Sequence, residues 1–324
     1  MPMKKFIIHS LGLLLFFLAS SWLLYKIEPP VEARILASIK HKQQIVNFGT
    51  SHGYDFDYYQ VGLKGRNACI GANTLYYDLQ NFRYYKEIDL LNDDAVVILP
   101  ISYFSFGLDE NRRDMLPEKS FVDFYYSYLP PKYLYDYSPQ KHTEVYLYNV
   151  QENFKSLLTG NRKRPLHRKG MSVKGEKQLK KHNPFRYPGF EKMALIRASG
   201  HKKSFDSLNV KKNRAYLETL ITEIQGAGHQ VILVSTPFHE MYRAHFRDTW
   251  LDSNYYSIIR ETSIKYGIPY FDYSRDERFV GVRACFTDPD HLSKDGKLEF
   301  NAIFFNDIEP YIRNLSPPEL IDKN

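Results

Sequence analysis

The feature that most constrains this chain is an uncharged apolar run near its N-terminus, from Phe6 to Tyr25. A helix of that length, at about 1.5 Å per residue, spans the roughly 30 Å hydrocarbon core of a bilayer. Lys4 and Lys5 precede the run, and Trp22 lies at its other end, where interfacial aromatic residues belong. The run predicts an uncleaved membrane anchor. A cleaved signal peptide is the alternative, opposed by the length of the run and by the absence of a small-x-small triplet after it.

Both interpretations export the rest of the chain, because the paired lysines keep the short N-terminal tail in the cytoplasm. We expect a cytoplasmic tail at 1–5, a transmembrane anchor at 6–25 that binds the lipid bilayer, and a stalk at 26–43. The remaining residues are predicted to be extracytoplasmic, in the periplasm or at the surface of a bacterial cell. Export excludes nucleic acid as a partner, although Lys and Arg total 44 against 37 Asp and Glu.

After the stalk, short apolar runs alternate with helical patterns, which predicts an α/β domain with a parallel sheet covered on both faces. In such sheets ligands bind beyond the carboxyl ends of the strands. Residues 108–207 break this rhythm with a Tyr-, Pro- and Lys-rich composition. They predict an insertion or lid between the third and fourth core strands, which leaves the α/β domain at 44–107 and 208–315. The predicted strands are Gln44–Gly49, Asn67–Ile70, Ala95–Leu99, Gln230–Ser235 and Pro269–Tyr273, and the predicted helices are Thr74–Tyr85, Val210–Ile224, Tyr255–Tyr266 and Asp295–Ile308.

A candidate nucleophile closes the first predicted strand, where residues 49–53 read G-T-S-H-G. This matches the G-x-S-x-G elbow of α/β-hydrolases, but the position of Ser51 directly after the stalk argues against that family. Near the other end of the chain, Asp288 lies three residues before His291, so it can orient the imidazole while the other ring nitrogen faces the serine. The alternative is a helix-capping serine and an exposed loop. We expect His52 to pack or hydrogen-bond beside the serine rather than replace His291.

A G-x-S motif on the first strand together with a C-terminal D-x-x-H-L motif resembles the SGNH (GDSL-like) superfamily of hydrolases and acyltransferases. The resemblance implies a three-layer α/β/α fold of the flavodoxin-like kind. It also implies that Ser51 attacks an acyl carbonyl, that His291 accepts its proton and that Asp288 fixes the imidazole. No cofactor is implied, and the sequence shows no metal-ligand spacing.

The same resemblance implies an oxyanion hole formed by backbone N–H groups of Ser51 and Gly71. Asn73, or Ser102 near the end of the third strand, is a further candidate donor. The G-x-N-D block expected after the third strand is absent. In this departure the chain resembles a membrane-anchored cell-envelope branch of the superfamily, whose members also have altered third blocks. The branch includes the D-alanyl transfer protein of teichoic acids and the alginate O-acetyltransferases.

The predicted function is therefore a serine-dependent O-acyltransferase that modifies hydroxyls of a cell-envelope or secreted glycan. No acyl-CoA is available outside the cytoplasm, so a polytopic membrane O-acyltransferase is the expected acyl donor. A carbohydrate esterase of the same type is one alternative. An inactive glycan-binding scaffold is another, and the missing asparagine favours it.

Two further groups of residues are candidates for substrate contact. Residues 162–181 contain nine Lys or Arg, which predicts a clamp for an anionic glycan or for lipid headgroups through Arg164, Lys180 and Lys181. A solvated loop is the alternative for such a charge run. His239 follows the end of a strand and could contact substrate, with plain solvent exposure as the alternative.

The chain has two cysteines, Cys69 and Cys285, which are too few for a disulfide framework or a four-cysteine zinc site. An exported compartment permits a disulfide between them. Two buried free thiols are an equal alternative, because free cysteine is often buried.

Overall fold

A computed structural model describes residues 3–27, 31–110, 123–159 and 189–315 of the chain. These residues form two compact units. The first contains the N-terminal residues up to 40 together with 123–159, and the second contains 41–110 together with 189–315.

The strands within the described residues are β1 Gln43–Asn47, β2 Gly65–Asn67, β3 Leu91–Pro100, β4 Gln230–Ser235, β5 Tyr270–Asp272, β6 Phe286–Asp288 and β7 His291–Leu292. The α-helices are α1 Met3–Ile27, α2 Val31–Ser38, α3 Leu75–Glu87, α4 Asp123–Tyr126, α5 Pro139–Thr159, α6 Phe190–Lys203, α7 Ser207–Gly226, α8 Glu240–Arg243, α9 Asp248–Leu251, α10 Ser257–Tyr266, α11 Glu277–Val280, α12 Lys294–Asp307 and α13 Glu309–Ile312. Short 3₁₀ turns lie at Ser51–Asp55, Tyr58–Val61, Ser105–Gly107, Pro131–Tyr133 and Arg283–Cys285, and a π-helical turn at Asp252–Tyr256 precedes α10.

The first unit is built on α1, whose segment Ile7–Lys26 has the length and composition needed to cross a membrane. A membrane anchor and a signal sequence share both properties. The C-terminal end of α1 packs against α5, where the rings of Tyr25 and Tyr146 lie 5.0 Å apart between centroids. The Asn153 side chain also donates to the Leu24 carbonyl at 3.2 Å.

The second unit contains a five-stranded sheet in the order β2-β1-β3-β4-β5, and all neighbouring strands are parallel. This confirms the predicted fold class. The apolar run of β3 lies centrally, paired with β1 on one side and with β4 on the other. Fully buried parallel strands have such continuous apolar sequences.

Helices cover both faces of this sheet because successive strand residues point to opposite sides. On one face, Phe300 and Phe304 of α12 pack in a buried cluster with Val96 and Ile98 of β3. The opposite face is covered by α3 and α7, which contact each other, and Phe82 of α3 packs edge-on against a ring that follows β1. The hydrophobic core therefore holds β1 and β3 in place from both faces of the sheet.

Helix α6, which lies within the predicted insertion 108–207, is part of the sheet-containing unit. Helix α6 packs against α8 and against β6, and its Ala194 and Ala198 are fully buried. These small side chains allow the helix to approach closely. The Tyr- and Lys-rich composition of the surrounding segment hid this helix from the sequence pattern.

Both cysteines are free and buried, which confirms the free-thiol alternative. The Cys69 sulfur accepts a hydrogen bond from the Asn47 side-chain amide at 2.9 Å. The Cys285 thiol donates to Glu299 at 3.7 Å.

Candidate active site

Ser51 lies in a tight turn directly beyond β1, and two glycines let this turn approach the end of β3. Gly49 has φ +152°, and a Cβ there would lie 3.1 Å from the Pro100 carbonyl oxygen. A Cβ on Gly53 would lie only 2.1 Å from the Cys69 sulfur and 3.0 Å from Pro100 Cγ. The glycines of the G-x-S-x-G pattern are therefore required sterically, and they hold the serine at the carboxyl edge of the sheet.

The structure brings Ser51, His291 and Asp288 together, although the serine and the histidine are 240 residues apart in sequence. Ser51 Oγ lies 2.8 Å from His291 Nε2. His291 Nδ1 lies 2.9 and 3.1 Å from the two Asp288 carboxylate oxygens. The backbone N–H of His291 also donates to Asp288, at 3.0 Å, within the β6–β7 hairpin. A carboxylate on Nδ1 favours the tautomer whose Nε2 can accept the serine proton.

A second carboxylate and a guanidinium extend this arrangement. Asp290 is almost fully buried, at 2% exposure. Arg197 of α6 joins the two carboxylates, with 3.0 Å from Nη2 to Asp288 Oδ2 and 2.8 Å from Nη1 to Asp290 Oδ1. On its other side, Asp290 Oδ2 lies 3.4 Å from His52 Nε2. The site thus contains two carboxylates, two imidazoles and one permanent cation.

These neighbours shift the ionisation of the buried groups. Burial alone would raise the pKa of Asp290, but His291, His52 and Arg197 together hold that pKa well below its usual range. Burial alone would lower the pKa of His291, but the Asp290 and Asp288 carboxylates outweigh it and raise that pKa. Burial lowers the pKa of His52. His291 is consequently the more basic of the two imidazoles.

His52 packs beside the nucleophile, as expected from sequence. Its ring is 4.8 Å from the His291 ring between centroids, in an edge-on arrangement. Its Nδ1 lies 2.7 Å from Ser102 Oγ, within hydrogen-bonding distance. The ring also contacts Phe104 and Phe238 edge-on. These contacts enclose His52 within the protein, whereas His291 faces the serine.

Of the predicted oxyanion donors, Gly71 lies in a turn that follows the backbone pairing beyond β2. Its N–H donates to the Tyr54 hydroxyl at 2.5 Å. Ala72 next to it has φ +59°, in the left-handed region. In this structure the tyrosine hydroxyl accepts the bond that an oxyanion would accept from Gly71.

The two side-chain candidates for the oxyanion hole are engaged elsewhere. The Asn73 amide donates to the buried Asp78 carboxyl, and burial raises the pKa of that carboxyl. Ser102 is 1% exposed, with its hydroxyl near His52 and its N–H bonded to Ser105 Oγ at 2.9 Å. In this structure the Ser102 hydroxyl therefore holds His52, and its role as an oxyanion donor stays a prediction.

His239 is buried, which corrects the alternative of plain solvent exposure, and its contact with substrate stays a prediction. It is 2% exposed, and its Nδ1 accepts the backbone N–H of Met241 at the start of α8 at 3.2 Å. Its own N–H donates to the Pro289 carbonyl at 3.2 Å. A histidine that caps a helix while bonding the Asp288–His291 loop is turned inward by both contacts.

The predicted basic clamp, with Arg164, Lys180 and Lys181, lies outside the described residues and stays a prediction.

His52, Asp290 and His291 each have one potential metal-ligand atom within 4.8 Å of the others. Arg197 lies 2.8 Å from Asp290 Oδ1, so a fixed cation already neutralises this carboxylate. His291 Nε2 is also directed at Ser51. These contacts fit a proton relay better than a metal site.

Sequence reasoning missed Arg197 and Asp290. Asp290 lies inside the D-x-x-H motif and could have been noticed as a second acid beside the histidine. Arg197 carried no such signal, because it lies 91 residues from Asp288 in a segment interpreted as an insertion.

No family model matches the sequence, and no curated protein is significantly similar to it. Among solved structures, a lipase/acylhydrolase from Enterococcus faecalis superposes with a TM-score of 0.40 at 14% identity, covering 86% of this chain and 99% of that chain. A GDSL-like lipase from Bacteroides thetaiotaomicron gives 0.39 at 13%, covering 86% and 95%. A variant of an acetylxylan esterase from Geobacillus stearothermophilus gives 0.39 at 12%, covering 83% and 95%. TM-scores this low do not carry function across, so a functional conclusion depends on the site itself.

Proposed function

We propose that this protein is a serine-dependent acyl-transfer enzyme of the SGNH type. The observation that carries the proposal is the continuous relay from Ser51 Oγ through His291 to Asp288, with steps of 2.8 and 2.9 Å. A helix-capping serine does not require an imidazole at hydrogen-bonding distance, backed by a carboxylate on its far nitrogen. The relay is the arrangement that nucleophilic catalysis by serine needs.

In the proposed reaction Ser51 attacks an acyl carbonyl as His291 Nε2 accepts the hydroxyl proton. The imidazolium that forms is stabilised by Asp288. Backbone N–H groups of Ser51 and Gly71 stabilise the oxyanion, once the substrate oxygen replaces the Tyr54 hydroxyl at Gly71. His291 then returns the proton to the departing alcohol and an acyl-Ser51 remains. An incoming hydroxyl, deprotonated by His291, attacks this ester, and His291 returns the proton to the departing Ser51 oxygen.

The proposed acceptor is a hydroxyl of a cell-envelope or secreted glycan, outside the cytoplasm. Support comes from the apolar helix segment Ile7–Lys26 and from the departure of the third sequence block from the hydrolase pattern. A polytopic membrane O-acyltransferase is the proposed acyl donor. The second candidate is an esterase, because the same relay activates water as readily as a sugar hydroxyl. The complete relay argues against an inactive scaffold.

The first test is hydrolysis of p-nitrophenyl acetate by the full-length protein in detergent micelles. Ser51→Ala should lower kcat/KM at least about 1,000-fold, since it removes the nucleophile. Ser253→Ala is the matched control and should keep wild-type turnover, because this exposed serine bonds only helix carbonyls and the neighbouring Asn254 amide. Equal turnover by the wild type and Ser51→Ala would overturn the proposal.

The choice between acceptors needs a second measurement. After brief reaction, mass spectrometry of peptides should find the acetyl group on the peptide that contains Ser51. Adding a neutral oligosaccharide should then move the acetyl group to the sugar if the protein is a transferase. Release of acetate without transfer to the sugar would select the esterase. Neither an acyl-enzyme nor release of acetate by the wild type would favour the inactive scaffold.

A further inference from the structure

We propose that Arg197 is a positioning residue that holds Asp288 and Asp290 on either side of His291 and keeps this imidazole available as a base. The inference rests on the proposed function, since it concerns the same relay. It assigns a role in that relay to a residue of α6, which the sequence motifs do not include.

The geometry of Arg197 is that of a clamp over two carboxylates. One terminal nitrogen lies 3.0 Å from Asp288 Oδ2, and the other lies 2.8 Å from Asp290 Oδ1. The second nitrogen is also 3.3 Å from His291 Nδ1. The guanidinium is planar, so engaging both carboxylates fixes their separation and orientation. Ala194 and Ala198, fully buried on either side along α6, seat the helix that carries the clamp.

The charges that face His291 explain why a cation is needed there. Asp288 lies 2.9 Å and Asp290 3.6 Å from its Nδ1, and both are acids of the same loop. Two carboxylates this close favour the imidazolium, yet a general base must be unprotonated before it can accept a proton. Arg197 supplies one fixed positive charge on the same side of the ring, which offsets one of the two carboxylates.

The other charged groups around the ring do not replace this cation. Burial lowers the pKa of His52, from the turn after β1, and so disfavours a positive charge on this ring. Asp55, from the same turn, is buried and pairs with Lys297 of α12 at 2.9 Å, so that pair adds little net charge. Arg197 is therefore the permanent cation that contacts the relay carboxylates within the described residues.

The test compares Arg197→Met and Arg197→Lys with the wild type across the pH profile of kcat/KM for p-nitrophenyl acetate. Arg197→Met keeps the apolar stem and removes the charge, so His291 should hold its proton more tightly. We expect the acidic limb of the profile to move up by about one pH unit, which is about a tenfold loss of activity on that side. Activity should recover toward alkaline pH. Arg197→Lys keeps a positive charge, so its acidic limb should lie between those of the wild type and Arg197→Met.

Arg214→Met is the matched control. Arg214 of α7 is 37% exposed, against 33% for Arg197, and it also bridges two carboxylates, those of Glu218 and Glu261, at 3.0 Å each. It lies outside the described site, so its removal should leave the acidic limb in place. A uniform loss of activity at every pH in Arg197→Met, with the limb unmoved, would show a purely structural salt bridge and overturn the inference.

An NMR titration of the His291 ring separates this inference from the proposed function. The ring resonance can be followed in Ser51→Ala, which lacks the proposed nucleophile, with and without Arg197→Met, and assigned with His291→Gln. A higher His291 pKa without the guanidinium supports the clamp even if no ester is hydrolysed by the wild type. An unchanged or lower pKa overturns it, whether or not the wild type is an enzyme.

Discussion

Substituting Gly53 by alanine tests whether the turn that carries Ser51 is held by close packing. The added Cβ would lie 2.1 Å from the Cys69 sulfur, 3.0 Å from Pro100 Cγ and 3.1 Å from the Asn47 side-chain nitrogen. Ordinary contact needs about 3.4 Å or more, so the sulfur must move by more than 1 Å and lose its bond to Asn47. Overpacking of a buried site typically costs about 1–3 kcal/mol.

The contact with Cys69 is the severe one, so a double-mutant cycle should reveal it. Gly53→Ala should lower Tm by about 2–4 °C for each kcal/mol lost in a domain of this size. In a Cys69→Ala background the same substitution should cost less than about 1 kcal/mol, because only the two contacts near 3 Å remain.

Gly200→Ala is the control for the effect of an added methyl group. Gly200 lies inside α6 with no heavy atom within 4 Å of its added Cβ, so alanine should stabilise the helix by about 0.5–1 kcal/mol. Differential scanning calorimetry of the full-length protein measures all four variants. Equal losses from Gly53→Ala in both backgrounds would refute the steric argument. An unchanged Tm in the single variant would do the same.

Three further expectations concern His291 and the acids beside it. Asp288→Asn replaces an acceptor at Nδ1 by an amide, so the favoured tautomer is lost and kcat/KM for p-nitrophenyl acetate should fall by about 10⁴-fold; a fall under tenfold would remove Asp288 from the relay. The raised pKa of His291 moves the acidic limb of the wild-type pH profile to higher pH than an ordinary histidine would give, since activity is lost as this base is protonated with falling pH. Asp290→Asn removes one carboxylate that favours the imidazolium, so this limb should move to lower pH, and a move to higher pH would contradict the charge argument.

The sheet could be predicted from sequence wherever a strand is buried on both faces. The β4 bounds, Gln230–Ser235, agree with the predicted ones because a continuous apolar run between polar flanks has few other interpretations. The second strand was placed later than it lies, since its residues Gly65–Asn67 are half-buried and carry no apolar run. Ala68 and Ile70, which suggested the strand, still donate N–H groups to β1 and its extension at 2.9 Å.

The catalytic candidates could be predicted because each lies in a short local motif with a chemical meaning. The residues that orient these side chains could not be predicted, because they come from segments distant in sequence. Ser102 has a hydroxyl that could donate to an oxyanion, yet this hydroxyl lies within hydrogen-bonding distance of His52, 50 residues away. Arg197 reaches the site only because α6 packs against β6, and nothing in its local sequence indicates that contact.

The position of His52 explains how the motifs from the two ends of the chain are held next to each other. Its Nδ1 is bonded near the end of β3 through Ser102, and its Nε2 faces Asp290 of the last loop. Because the ring is buried and its pKa is lowered, this link can form without burying another charge. His52 thus connects the turn that follows β1, the segment that follows β3 and the loop that carries His291. The contacts of His52 with Ser102 and Asp290 therefore help to hold Ser51 and His291 at their 2.8 Å separation, which does not depend on a single loop.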